Sequence, residues 1–251
     1  MDELKEKIDK DRLPKHIAVI MDGNGRWAKS KGMPRVFGHK NGVTAVREVC
    51  EAAAEIGIKH LTLYAFSIEN WNRPAFEVNA LMALLVETIK SEIKTLNDNN
   101  IRLNAIGDIT HLPAASREAL QWAIDQTSSN TRMTLHLALN YSARWEITNA
   151  ARHIAEKVKQ NLLQPEEISQ EVFAEHLATK NIPDPELLIR TSGEYRISNY
   201  LLWQIAYAEL FFTPTFWPDF RKKNLYEAIL EFQKRERRFG MTSEQVSPAN
   251  T

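Results

Sequence analysis

Cysteine is almost absent from this chain of 251 residues, Cys50 being the only one. That excludes a disulfide framework and points to a reducing compartment, with Cys50 read as a buried, inert thiol on the apolar side of a helix. Net charge is missing as well, since Lys plus Arg and Asp plus Glu number 32 each. No bulk field therefore draws the molecule to nucleic acid or to an anionic membrane, and any anion site has to be local. Long apolar runs are lacking too. Nothing approaches the roughly 20 residues of a membrane span, and the charged stretch 1–7 has no signal-peptide core. A cytoplasmic protein is expected. Internal repeats, low-complexity tracts and linker-like stretches are also absent, so residues 1–251 are read as a single domain with 1–14 and 241–251 as mobile ends.

What is present is an alternation of short apolar runs with amphipathic stretches. Residues 16–21 are a β-branched run ending at Asp22 and Gly23, a buried strand that feeds a glycine loop. Val43, Val46, Cys50, Ala53 and Ile56 follow at helical spacing, closed by Gly57 where a left-handed cap belongs. Residues 60–66 read as a second strand, with 67–73 as its exit loop. Pro74 then opens a helix whose apolar positions Val78, Leu81, Met82, Leu85, Ile89, Ile93 and Leu96 keep the helical period. Further strands are expected at 101–107, 133–139, 186–191 and 210–213, with helices over 114–128 and 142–160. The expectation is an α/β fold, a mostly parallel central sheet of about six strands flanked by helices. Ligands gather at the carboxyl ends of such sheets, so the polar loops 22–27, 67–73 and 190–198 should meet on one edge.

Those loops carry the chemistry. Asp22, Gly23, Asn24, Gly25, Arg26 and Trp27 combine glycines that let a backbone approach a diphosphate, N–H groups to point at its oxygens, and a fixed cation. The same residues suit an ordinary strand-to-helix turn with Asp22 as its cap, and they match neither the Walker nor the Rossmann spacing. Asp22 also suits Mg2+, which takes one or two protein carboxylates and completes its octahedron with water and phosphate oxygens. Arg35 and His39, four apart, form either further anion donors on one helical face or a solvated face. Ser67, Glu69, Asn70, Trp71 and Arg73 set a large ring among polar groups, suited to substrate hydrocarbon or to an ordinary core edge. Arg190, Arg196 and Ser198 around Gly193 make a second anion cluster, or surface ion pairs. Together, two arginine-and-glycine clusters at strand ends point to two anionic substrates held side by side.

Five ordered blocks carry a resemblance: Ile-Met-Asp-Gly-Asn-Gly-Arg-Trp-Ala at 20–28, Arg-Val-Phe-Gly-His-Lys at 35–40, Leu-Thr-Leu-Tyr-Ala-Phe-Ser-Ile-Glu-Asn-Trp-Asn-Arg-Pro at 61–74, Leu-Ile-Arg-Thr-Ser-Gly-Glu-Tyr-Arg-Ile-Ser-Asn at 188–199 and Trp-Gln-Ile-Ala-Tyr-Ala-Glu-Leu at 203–210. Through them the chain resembles the bacterial type of the cis-prenyltransferase family over 16–239. The resemblance implies a Mg2+-dependent enzyme that condenses isopentenyl diphosphate successively onto farnesyl diphosphate. The implied product is undecaprenyl diphosphate, the lipid carrier precursor for bacterial peptidoglycan synthesis.

By the same resemblance, Asp22 binds the metal and assists departure of diphosphate, with Glu209 as a second metal carboxylate. The allylic diphosphate falls to Gly23, Asn24, Gly25 and Arg26 with Trp27, Arg35 and His39. Isopentenyl diphosphate falls to Arg190, Arg196, Ile197 and Ser198, and Ser67, Ile68, Glu69, Trp71 and Arg73 match the substrate loop. Asn70 matches the residue assigned to proton removal; a carboxamide is a poor base, so Asn70 is expected to orient the proton toward a diphosphate oxygen or Asp22. The oily helix over 78–96 and Met133, Leu135, Leu137 and Leu139 are expected either to wall an apolar tunnel for the product or to be ordinary core. A homodimer using Leu201, Leu202, Trp203, Phe211 and Phe212, and transient membrane contact for product release, are implied as well. Ser192 departs from the glycine common at its position, and Ile68 from a smaller residue. Two alternatives stay open: a product of another length, and a non-catalytic accessory subunit, which would have no need of Asp22.

Overall fold

Strand β1 (His16–Ile20) is buried at every residue. Its side chains alternate between two apolar layers, Ile17 and Val19 joining one core cluster, Ala18 and Ile20 the other. A strand covered on both faces reads as a continuous apolar run, which is what the sequence shows here. In the computed structural model, which describes residues 2–242 and 245, β1 pairs in parallel with β2 (His60–Ser67) on one side and β5 (Leu187–Arg190) on the other. With β3 (Ile101–Ile106), β4 (Met133–Tyr141) and β6 (Glu209–Phe212), these make a six-stranded, wholly parallel sheet of order β3-β4-β2-β1-β5-β6. The α/β expectation is met, and each strand lies where its apolar run predicted.

After the short helices α1 (Asp2–Glu6) and α2 (Asn24–Ser30), the longer helices α3 (Arg35–Ile56), α4 (Ala75–Asp98) and α5 (Ala114–Gln126) send side chains into the layer of Ile17 and Val19. The opposite layer holds Ala143 of α6 (Ala143–Lys159) together with Tyr200 and Leu201. Small buried residues on α3, among them Ala45, Ala52 and Ala53, let that helix lie close to the sheet. It ends as its sequence foretells, at Gly57 with φ 107°, whose N–H reaches the carbonyls of Ala53 and Ala54.

Three features differ from expectation. A short helix (Asn24–Ser30) and a C-terminal helix (Lys222–Gln233) were not predicted, although Leu225, Ala228, Ile229 and Phe232 of the latter are buried at helical spacing. The N-terminal stretch is engaged: Ile8 enters the main core, and the Gln233 amide accepts from the Asp9 N–H (3.2 Å) and donates to its carbonyl (2.6 Å). At the other end, all but 241, 242 and 245 of the 241–251 tail lie outside the described residues. Finally, Leu201, expected at a subunit interface, is 1% exposed and packs in the second core cluster, because the loop after β5 folds back under the sheet.

Gly38 fixes how the first site loop sits. A Cβ there would come 1.9 Å from the carbonyl oxygen of Asn24, so α3 and the short helix after β1 touch backbone to backbone. Gly38→Ala should therefore destabilise the fold by roughly 1–3 kcal/mol through overpacking, read as a lowered Tm; an unchanged Tm would show that the two helices can part without cost.

Candidate active site

Going outward from β1, the chain runs first toward β2 and β4 and later returns to β5 on the other side. The reversal lies between β1 and β5, where the loops leaving their carboxyl ends diverge and open a crevice. Register places Arg190 beside Ile20, so Asp22, two residues beyond, stands next to the end of β5. Asp22 Oδ2 accepts from Arg190 Nη2 at 2.9 Å and from Arg26 Nη2 at 3.3 Å, and Oδ1 accepts from the Gly23 N–H at 2.6 Å. Partial burial pushes the Asp22 carboxyl up, but the hydrogen bonds from Arg190 and Gly23 and the charges of Arg190 and Arg26 outweigh it and hold the group below the ordinary 3.8.

Arg190 is 3% exposed. Besides Asp22 it donates through Nη1 to the Arg196 carbonyl and to Ser198 Oγ (2.7 Å), while its Nε is buried without a partner in the protein. Arg26 donates to Glu194 (2.7 Å) and to the Ser192 hydroxyl, and Arg196 pairs with the other oxygen of Glu194. Ser192 has φ 76°, a left-handed backbone that explains why glycine is the easier residue there. Gly23, at φ 101°, has no room for a Cβ against Ser192 and Phe216, so the first and third loops close on each other only through glycine.

A second arginine group lies toward the sheet's other side. Arg35 rests against Gly25, and Arg35 and Arg73 both pair with Glu77, at 3.4 and 3.3 Å. Glu77 is 8% exposed and was missed in the sequence; its signal was the i, i+4 spacing from Arg73. His39 sits beside this group, and burial together with the nearby Arg73 lowers its pKa from 6.5 to about 4. It is therefore a neutral N–H donor at neutral pH.

The middle loop is more structural than expected. Asn70 Oδ1 accepts from the Ser67 N–H at 3.2 Å, capping the turn Ile68–Asn72. Trp71 donates to Asn140 Oδ1 at 2.7 Å and meets Phe66 edge-on. Glu69 accepts from Asn199, which also donates to Ser142. Asp22, Ser67, Glu69, Asn70, Arg73, Arg190, Ser198 and Asn199 line one cleft. Met21, Tyr64, Asn70 and Arg73 continue into a connecting pocket, and Met21, His39, Val43, Val46, Ala65 and Leu81 carry that pocket into an apolar tunnel.

The tunnel confirms the predicted walls in part. Leu81, Met82, Leu85, Ile89 and Leu96 of α4 and Leu135, Leu137 and Leu139 of β4 line it while also belonging to or packing on the main core cluster, whereas Met133 belongs to that core without lining the tunnel. A third wall, α3 with Val43, Val46 and Cys50, was not anticipated. Other predicted residues lie apart from the cleft. Trp27 turns outward to Asp219 (2.9 Å), and Ile197 packs against the second core cluster. Glu209 pairs with Leu187 at the opposite end of β5 from Arg190, about 10 Å along the strand, and is held by Arg235 at 3.0 Å.

Residues 20–240 match the family model described as "Putative undecaprenyl diphosphate synthase". The chain is 57% identical over 234 residues to the isoprenyl transferase of Chlorobaculum tepidum, covering 93% of this chain and 88% of that one. It is 54% identical over 239 residues to the ditrans,polycis-undecaprenyl-diphosphate synthase ((2E,6E)-farnesyl-diphosphate specific) of Vibrio cholerae, covering 95% and 96%. Among solved structures, lavandulyl diphosphate synthase from Lavandula x intermedia, in complex with dimethylallyl diphosphate, is similar with a TM-score of 0.89 at 39% identity, over 92% of this chain and 99% of that chain.

A carboxyl held below its ordinary pKa stabilises the fold above the unfolded-state value and loses that contribution as pH falls through the folded-state value. Asp22→Asn should accordingly be less stable than wild type at neutral pH, and the gap should close as pH drops below the ordinary 3.8. Urea unfolding across pH checks this; a gap constant with pH would mean that the ion pairs of Asp22 do not set its titration.

Proposed function

The chain belongs to the cis-prenyltransferase family, and on that footing we propose that it adds isopentenyl diphosphate units successively to farnesyl diphosphate, ending at undecaprenyl diphosphate. The observation that carries this reading is the continuity of an arginine-lined cleft with an apolar tunnel. A diphosphate ester of a long hydrocarbon needs both. Each CH2 taken from water into such a tunnel contributes roughly 0.8 kcal/mol, so the growing chain is drawn inward while its charged head stays at the mouth.

The allylic diphosphate would take the side of Gly23, Asn24, Gly25 and Arg26, where the first N–H groups of a helix lack intrahelical acceptors, with Arg35, Arg73 and neutral His39 at the tunnel entrance. Isopentenyl diphosphate would take Arg190, Arg196 and Ser198; the unpartnered Nε of Arg190 supports an anion at that end. Breaking the allylic C–O bond develops charge on the leaving diphosphate, which fixed guanidinium groups stabilise without reorganising. The isopentenyl double bond then attacks the electron-poor carbon, and a proton leaves the adjacent carbon. Asn70 is committed to capping its own turn, which suits a positioning role, with a diphosphate oxygen or Asp22 taking the proton.

Asp22, a hard oxygen donor kept ionised at the cleft, fits Mg2+ bound mainly by water and phosphate oxygens. Among the described residues no group of three or more His, Cys, Asp or Glu forms a metal cage, so the substrates would complete the coordination. When bound, the ion supplies further charge neutralisation of the departing diphosphate. Glu209 could join this site only through another arrangement of chains, since within one chain it lies elsewhere.

A homodimer across the open edge at β6 is part of the same reading, supported by exposed Leu202, Tyr207 and Leu210 near that edge. Among the described residues no helix is long and apolar enough to cross a membrane. Action in the cytoplasm with brief membrane contact at product release fits that observation.

Incubation with farnesyl diphosphate, radiolabelled isopentenyl diphosphate and Mg2+ should give a C55 diphosphate that EDTA abolishes. Asp22→Ala should lower turnover by about 10²–10³-fold or more. Products of another length would keep the reaction and change the product, and no elongation would overturn the proposal.

A further inference from the structure

Cavities change what holds their walls together. The interior of a domain is close-packed, and helices are normally spaced by interdigitating side chains. Where the tunnel runs between α3 and α4, Leu81, Leu84 and Leu85 of α4 are only partly buried and face the opening. Two polar links also join these helices. One is at the mouth, where Arg35 meets Glu77. The other is deeper, where Arg47 of α3 donates through Nε to Glu92 Oε2 at 2.8 Å and through Nη2 to Oε1, a two-point fork. Arg47 lies twelve residues beyond Arg35, about 18 Å further along the helix axis.

Arg47, Glu51 and Glu92 are the carboxylate and guanidinium groups in the tunnel lining, out of place in a hydrocarbon channel unless they mark its boundary. Glu51 is engaged with Lys222 at 3.2 Å. The Glu92 side chain is 13% exposed and that of Arg47 47%, so the carboxylate is tucked between the helices and the guanidinium closes over it from solvent. An ion pair of this exposure adds little to stability, but the fork fixes a distance and an angle between the two helices that flank the opening.

We propose that the Arg47–Glu92 pair is a clasp on the seam between α3 and α4 that confines the growing hydrocarbon and so determines product length. The inference rests on the elongation reading above. With the clasp closed, the chain fills the tunnel and growth stops when the space is full. With it broken, the seam parts, the chain end escapes sideways, and condensation continues.

The test uses Arg47→Met, Glu92→Gln and the charge-swapped double variant Arg47→Glu/Glu92→Arg, beside wild type. Each single variant should shift the dominant product longer by one or more isoprene units, with kcat/KM for the first condensation within about twofold of wild type, and the swap should restore the wild-type length. A fluorescent long-chain alkyl probe gives a second readout that needs no catalysis: its dissociation from the ligand-free protein should be several-fold faster in the single variants and normal in the swap. Unchanged product length and probe dissociation in both single variants, or changes that the swap fails to reverse, would overturn the clasp. Absence of elongation by wild type itself would instead refute the proposed function, leaving the clasp to be decided by the probe.

Discussion

The guanidinium of Arg190 is a charge taken almost wholly out of water at the end of a buried parallel strand. A buried cation is tolerable only with acceptors arranged around it, and the fold supplies them from separate stretches of chain: the carboxylate of Asp22 beyond β1, and the Arg196 carbonyl and Ser198 hydroxyl from its own exit loop. To bring those acceptors in, the loop turns back on itself through left-handed residues at Ser192, Ser198, Asn199 and Leu201. That turn carries Leu201 and Tyr200 into the core and lays Asn199 beside Glu69 of the middle loop. One buried charge thus ties together all three loops of the cleft.

The same logic extends across the mouth. Asp22, Glu194 and Glu77 each hold more than one arginine, so cations that would otherwise repel are kept together before any anion arrives. Such preorganisation is what gives fixed charges their value in stabilising a developing charge, because little rearrangement is left to do at the moment of reaction. Immediately below, the environment changes from charged to apolar. His39 marks the transition: burial and the neighbouring Arg73 keep it neutral, so it bridges the two regions without adding a charge to the tunnel entrance.

How much of this was legible in the sequence depended on range. β1 announced itself because both faces are buried and five successive residues are apolar or packed. Gly57 and Pro74 marked helix ends because those positions obey local backbone rules. The loops flagged by odd mixtures of glycine, arginine and tryptophan did prove to converge. Individual side chains were less readable. Trp71 and Asn70 look like substrate groups in a linear reading, yet both are largely used to hold their own loop. Glu77 and Glu194 look like ordinary surface acids, yet they organise the arginines. Glu209 is offered by the resemblance as a metal carboxylate but sits at the start of β6, beside Leu187 and away from the cleft.

The order of the strands and of the long helices up to residue 160, the three polar loops and the oily helix were determined by sequence alone, because hydrophobic period and turn chemistry act between residues close in the chain. The pairing of Asp22 with Arg190, the neutrality of His39, the third tunnel wall and the Arg47–Glu92 link were decided only by tertiary structure. Each depends on distances and burial between segments far apart in sequence, and no local pattern of residue types encodes those.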